Sequence, residues 1–194
     1  MRRGYTARTA HTAGGTGMLG AMGCDIHEYY EIRRNGMWKV AELHPLPDTS
    51  GLSPEEEDRI SEAHWAHPLE LGRDYDLFAL LAGVRNTIEI EPIATPRGLP
   101  DDLSAALQAA WAEAEVWCHH PSWLTLDELL RFDWDQPLRD LDLSEVGVKR
   151  RREREVRTYR DLGQATGLLS RVVPYLQTQV ADPADLRLVF WFDN

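Results

Sequence analysis

Cysteine is scarce: Cys24 and Cys118 are the only two in 194 residues. That is too few for a disulfide-stapled fold, and a reducing cytoplasm is the expected compartment. No apolar run approaches the ~20 residues that a membrane-spanning helix needs. Acidic residues are missing altogether from residues 1–21, which carry Arg2, Arg3 and Arg8 among Thr, Gly and Ala. An acid-poor, Arg-containing leader suits a transit peptide, but this one is too rich in glycine for an amphipathic helix and lacks the apolar centre of a secretory signal. The expectation is a disordered tail, or an upstream extension of a frame that starts functionally at Met22, and 1–21 is left out of the fold.

Positive charge is also in deficit. Lys and Arg number 21 against 32 Asp and Glu, a net charge of −11, which disfavours general affinity for nucleic acid because phosphates are repelled on average. The exception is Lys149 to Arg160, with seven basic residues against Glu153 and Glu155. Such a stripe on an acidic body suits internal or partner salt bridges better than a nucleic-acid footprint. There is no P-loop, no Rossmann glycine pattern after a strand, no His-Glu-x-x-His, no Gly-x-Ser-x-Gly and no internal repeat. Apolar residues make up 43% and charged residues 27%, the balance of an ordinary globular protein. Residues 22–194 are the length of one domain that buries its own core.

The chain is organised around Met22 to Val40. β-rich residues flank Asn35-Gly36, the dipeptide best suited to a type I′ turn, so a hairpin is expected. Alternation along its first strand puts Asp25, His27, Tyr29 and Glu31 on one face and Cys24, Ile26, Tyr30 and Ile32, with Glu28, on the other. Ser53-Pro54-Glu55-Glu56 has the form of a capping box, opening a polar surface helix to about Trp65. Asp74 or Asp76 caps an apolar, buried helix over Leu77 to Ala82, which Gly83 could end. Thr87 to Glu91 alternates as a short strand, and Pro92 to Pro100 is a loop. Leu103, Ala106, Leu107, Ala110, Trp111 and Ala114 share one helical stripe, with Asp101 as the expected cap. Trp117 to Trp123 reads as a loop, and Thr125 with Glu128 as a second capping box. Leu162 to Thr178 reads as a helix that Pro174 kinks. Leu186 to Asn194 carries apolar residues on both faces, the pattern of a strand covered on both sides near the middle of a sheet. The expected class is α+β: a small, mostly antiparallel sheet, with the N-terminal hairpin beside the C-terminal strand, packed with several helices.

Several blocks look familiar together. Met22-Gly23-Cys24-Asp25-Ile26-His27, Tyr75-Asp76-Leu77-Phe78-Ala79, Ala82-Gly83-Val84-Arg85-Asn86, Pro96-Arg97-Gly98-Leu99-Pro100, Ser122-Trp123-Leu124-Thr125-Leu126 and Val189-Phe190-Trp191-Phe192-Asp193-Asn194 resemble a group of uncharacterised small phage, prophage and bacterial proteins. The likeness covers most of 22–194 and begins at Met22. It implies a phage-associated setting and no mechanism. The departure falls at Cys118-His119-His120, where the group's pattern suggests a polar run containing His and Ser.

Three constellations carry candidate chemistry. Cys24, His27, Cys118 and His119 supply thiolate and imidazole donors that would suit a divalent metal such as zinc, although the spacing is unlike a finger and Cys24 and His27 face opposite ways on an ideal strand. His27 with Asp25, Glu31 and a loop histidine, His120 or His119, would suit a hydrolytic metal or a general base oriented by a carboxylate. The competing reading is a half-exposed sheet face whose His27 is merely hydrogen-bonded. Cys24 as a nucleophile is the third, against the commoner fate of a small buried thiol. Arg85 and Arg97 are candidate clamps for a phosphate or carboxylate substrate. The functional expectation is a hydrolase-like or transferase-like enzyme on a small polar or phosphate-bearing substrate. The alternative is a non-catalytic accessory protein that binds a host or phage protein.

Overall fold

The computed structural model describes residues 23–45, 47–138 and 156–193. The leader at 1–21 and most of the basic stretch at 149–160 lie outside the described residues. The expected hairpin forms from β1 (Ile26–Arg34) and β2 (Met37–Val40). Asn35 and Gly36 both adopt positive φ, 52° and 76°, as a type I′ turn demands.

α1 (Pro54–Trp65) starts at the Ser53/Glu56 capping box and buries none of its side chains. α2 (Tyr75–Ala82) has Asp74 as its N-cap and ends at Gly83 in the left-handed conformation, and its residues from Leu77 to Ala82 are all buried. α3 (Ala105–Ala114) begins after Ser104, not at Asp101. Asp102 is drawn to Trp38 and Arg187, and Ser104, with extended backbone, is the residue directly before the helix.

Two expectations about strands are corrected. Thr87 to Glu91 is not a strand. The Asn86 side chain bonds both the carbonyl and the N–H of Ile90, so a local turn takes the groups that a neighbouring strand would have used. Cys118 to Trp123, expected as a loop, belongs to β3 (Cys118–Thr125). Its pairing is interrupted by a bulge between His119 and Ser122. Pro121 lies inside that bulge on an edge strand, where its missing N–H interrupts no regular ladder.

α4 (Leu126–Arg131) follows directly from the Thr125/Glu128 capping box. The single kinked helix expected over Leu162 to Thr178 is broken into pieces. α5 (Tyr159–Ala165) gives way at Gly167, φ 83°, to a π-helical turn over Leu168–Val172, and then to α6 (Val173–Gln177). Gly167 accommodates the reversal, and Pro174 cannot donate the N–H that a continuous α-helix requires.

β4 (Leu186–Asp193) closes the antiparallel sheet in the order β2-β1-β4-β3. The C-terminal strand is therefore interior and lies beside the hairpin, and every residue from Leu186 to Phe192 is buried. Leu186, Leu188, Phe190 and Phe192 face the larger core, with the side chains of α2, α4, α5 and α6. Val189 and Trp191 face a smaller core with Leu103 and Leu107. The architecture is α+β, a four-stranded sheet with α3 on one face and the other core-forming helices on the opposite face. Among the described residues no helix is long and apolar enough to cross a membrane.

Candidate functional site

The start of β1 and the end of β4 meet at one end of the sheet. Asp193 N–H donates to the Asp25 carbonyl at 3.1 Å, and Asp25 N–H donates to Asp193 Oδ1 at 3.0 Å. Asp193 Oδ2 sits 3.0 Å from His27 Nε2. A carboxylate only accepts, so the proton of this bond resides on Nε2, and Nδ1 is the ring nitrogen left for chemistry. His27 is 8% exposed. It lies opposite Trp191 across the β1–β4 ladder, and the buried Trp191 Nε1 has no acceptor among the described residues.

The Asp25 carboxylate is gripped by Arg73, whose Nε and Nη2 both lie 2.6 Å from it. This guanidinium holds the Asp25 carboxyl below the usual carboxylate range. Gly23 makes the approach possible, since a Cβ there would run into the Arg73 guanidinium. Tyr75 joins the same end by accepting the Cys24 N–H through its hydroxyl at 3.3 Å. Arg85 lies 6.0 Å over the Tyr75 ring, and its guanidinium favours the Cys24 thiolate. It takes the left-handed conformation, φ 52°, which is uncommon for a residue with a side chain and worth attention where functional groups gather.

Cys24 is fully buried, and burial raises its thiol pKa despite the help from Arg85. Burial, with the Asp193 carboxylate beside it, pushes Cys118 up to about 11. Neither thiol is an activated nucleophile at neutral pH.

The other candidates are distributed differently. Glu31 is fully buried in an ion pair with Arg187 at 2.7 Å and accepts the Ser104 N–H at the start of α3. Four residues, about 13 Å of strand, separate it from His27, so it is a packing group and no partner of that imidazole. His119 aligns with Phe192, whereas His27 aligns with Trp191. Since neighbouring residues of β4 face opposite ways, the two imidazoles lie on opposite faces of the sheet. His119 Nδ1 is instead 2.6 Å from His120 Nδ1, and His119 stacks on Phe192. His120 lies in the bulge with φ 50°, its pKa lowered by burial and then by His119. The partner that meets His27 is Asp193, not a mid-chain histidine. Arg97 bonds Glu128 at 2.9 Å and lies 4.4 Å over Trp123, bracing the start of α4.

The four metal candidates Cys24, His27, Cys118 and His119 do not converge. Among the described residues, the one group of three or more ligand atoms within 4.8 Å of one another is His44, His64 and Glu70. Strand alternation explains the failure, placing Cys24 and His119 on one face and His27 and Cys118 on the other. The converging set has only a partial signal in the sequence, the nearby His64 and Glu70, since His44 joins them from 20 residues upstream of His64. Arg73 and Tyr75 were missed too, because nothing local ties either residue to the hairpin.

Comparison with family models, with curated proteins and with solved structures returns no match.

Proposed function

We propose that the sheet end built by Asp25, His27, Arg73, Tyr75, Arg85 and Asp193 is the active centre of a cytoplasmic, phage-associated hydrolase or transferase acting on a small phosphate-bearing or otherwise anionic substrate. The observation that carries this reading is the 3.0 Å bond that His27 Nε2 donates to Asp193 Oδ2. A carboxylate accepting from one ring nitrogen fixes the tautomer and the orientation of the imidazole, leaving the opposite nitrogen to accept a proton. In the proposed reaction His27 Nδ1 takes a proton from the attacking water or hydroxyl. The new bond forms at the substrate's phosphorus as the bond to the leaving oxygen breaks, and the proton passes to that oxygen. Arg85 and the solvent-facing side of Arg73, half exposed, supply cationic donors for the anion.

Convergence of blocks adds support. Cys24 to His27, Tyr75, Arg85 and Asp193 come from four separate blocks behind the resemblance to phage and bacterial proteins, and all four contribute to this end. The test is turnover of a panel of phosphomonoesters, phosphodiesters and carboxylic esters by wild type and His27→Ala. The expected result is activity on one class and a loss of about 100-fold or more in the variant, the usual contribution of a general base. Equal rates in the two proteins would reject the assignment.

The accessory-protein reading draws on Val116 and Trp117, which stand 76% and 77% exposed between α3 and β3. Such a pair at a turn suits a protein partner. Under that reading Trp117→Ser abolishes association and His27→Ala does not.

A further inference from the structure

Away from the sheet end, three segments meet through polar rings instead of apolar side chains. His44 comes from the loop after β2, His64 from the last turn of α1, and Glu70 from the segment leading into α2. Glu70 sits between Leu69 and Leu71, both buried, and is itself 8% exposed. A carboxylate drawn into such surroundings needs strong compensation. Two imidazoles provide it, with His44 Nε2 at 3.1 Å and His64 Nε2 at 3.6 Å from the same Glu70 Oε2.

We infer that His44, His64 and Glu70 form a binding site for a divalent transition-metal ion of the zinc class. Ligands placed 2.0–2.1 Å from a tetrahedral zinc lie about 3.4 Å apart, and the two observed separations from Glu70 bracket that value. All three donor atoms fall within 4.8 Å of one another, so modest inward shifts complete the set. Two imidazoles with one carboxylate select this class over magnesium or calcium, which prefer all-oxygen shells. Three protein ligands leave a position for water or substrate, the pattern of catalytic rather than structural zinc.

The surroundings hold the ligands in place. His44 is sandwiched between the rings of His64 and His67, with centroids 4.1 and 4.2 Å away. Leu69 N–H donates to His67 Nδ1 at 3.2 Å, and the His67 ring meets the Tyr175 ring edge-on at 5.0 Å. α1 gains a reason for its position as well. It buries no side chain, yet His64 reaches Glu70 and His44, so an ion there would clamp this polar helix to the body.

The test uses the full chain, stripped with a chelator and titrated with Zn²⁺ or Co²⁺ alone. The expected result is one tight equivalent, with cobalt absorption of a four- or five-coordinate ion, and a rise in Tm of about 5–10 °C at 100 times Kd. His64→Ala, checked for folding by circular dichroism, should weaken binding by about 100-fold or more, and Glu70→Gln, which removes the buried charge and keeps the shape, should do the same to affinity. His27→Ala and the pair His119→Ala with His120→Ala should bind as wild type does. Absence of stoichiometric binding would overturn the inference, as would affinity lost in the His27 or His119/His120 variants but kept in His64→Ala. Because His27→Ala leaves this site intact, its effect on turnover is read separately from metal binding.

Discussion

Glu31 and Arg187 face each other across the β1–β4 ladder and close an ion pair of 2.7 Å with side chains 0% and 2% exposed. Arg187 is held further by Asp102 and lies 4.1 Å over the Trp38 ring. Glu31 uses its other oxygen to accept the first free N–H of α3, a favourable place for negative charge at a helix N-terminus. This node joins the sheet to the helix on its smaller-core face. It explains how a charged residue sits in an interior strand.

Removing one partner strands the other charge without compensation. Glu31→Gln or Arg187→Met should each cost about 3–5 kcal/mol, and the paired replacement Glu31→Leu with Arg187→Met should recover much of it. Denaturant unfolding of the three variants checks this. Single variants within about 1 kcal/mol of wild type would show that the node is dispensable.

The Asp25–Arg73 pair has a defined pH signature. Arg73 depresses the Asp25 pKa in the folded chain, so its stabilisation is fully present above the ordinary carboxylate pKa and is lost as pH falls through the depressed value. With Arg73 half exposed, screening keeps the neutral-pH contribution to about 1 kcal/mol or less. Arg73→Ala should therefore be slightly less stable than wild type at neutral pH. The two curves should merge in strong acid. A gap that widens with acidification would contradict the pairing.

Thiol chemistry gives a probe of Asp193. With its pKa pushed up to about 11 by burial and the neighbouring carboxylate, Cys118 should alkylate slowly at neutral pH, with a rate that climbs about tenfold per pH unit below that value. Asp193→Asn removes the repelling charge and should accelerate labelling of Cys118 at any fixed pH in this range. Mass spectrometry of iodoacetamide-treated protein separates Cys118 from the buried Cys24. An unchanged rate would place the carboxylate elsewhere.

Local signals in the sequence carried much of the fold. Asn35-Gly36 dictates its turn, Ser53/Glu56 and Thr125/Glu128 dictate helix starts, and the two-faced apolar pattern from Leu186 onward marks an interior strand. Where tertiary partners decide, local reading failed. β3 looked like a loop because its bulge holds Pro121, and only the hydrogen bonds offered by β4 make the segment a strand. Thr87 to Glu91 looked like a strand because alternation cannot register that the Asn86 side chain will bond Ile90 first. The α5–α6 region kept its apolar spacing but not its continuity.

The candidate site divides in the same way. Strand alternation put Asp25, His27 and Glu31 on one face, but it could not say that Arg73 would claim Asp25, Arg187 would claim Glu31, and Asp193 would reach His27. Those assignments depend on residues 48, 156 and 166 positions away along the chain. His44, His64 and Glu70 come together by the same kind of long-range folding.

The most direct test of the sheet-end centre is a nuclear magnetic resonance titration of the nitrogen-15-labelled full chain with inorganic phosphate, following the His27 ring and the Arg73 and Arg85 side-chain Nε–H signals. The account predicts that all three shift together with a single saturating affinity, and that His27→Ala leaves the arginine signals responding more weakly. Signals that stay in place, while residues elsewhere respond, would contradict it.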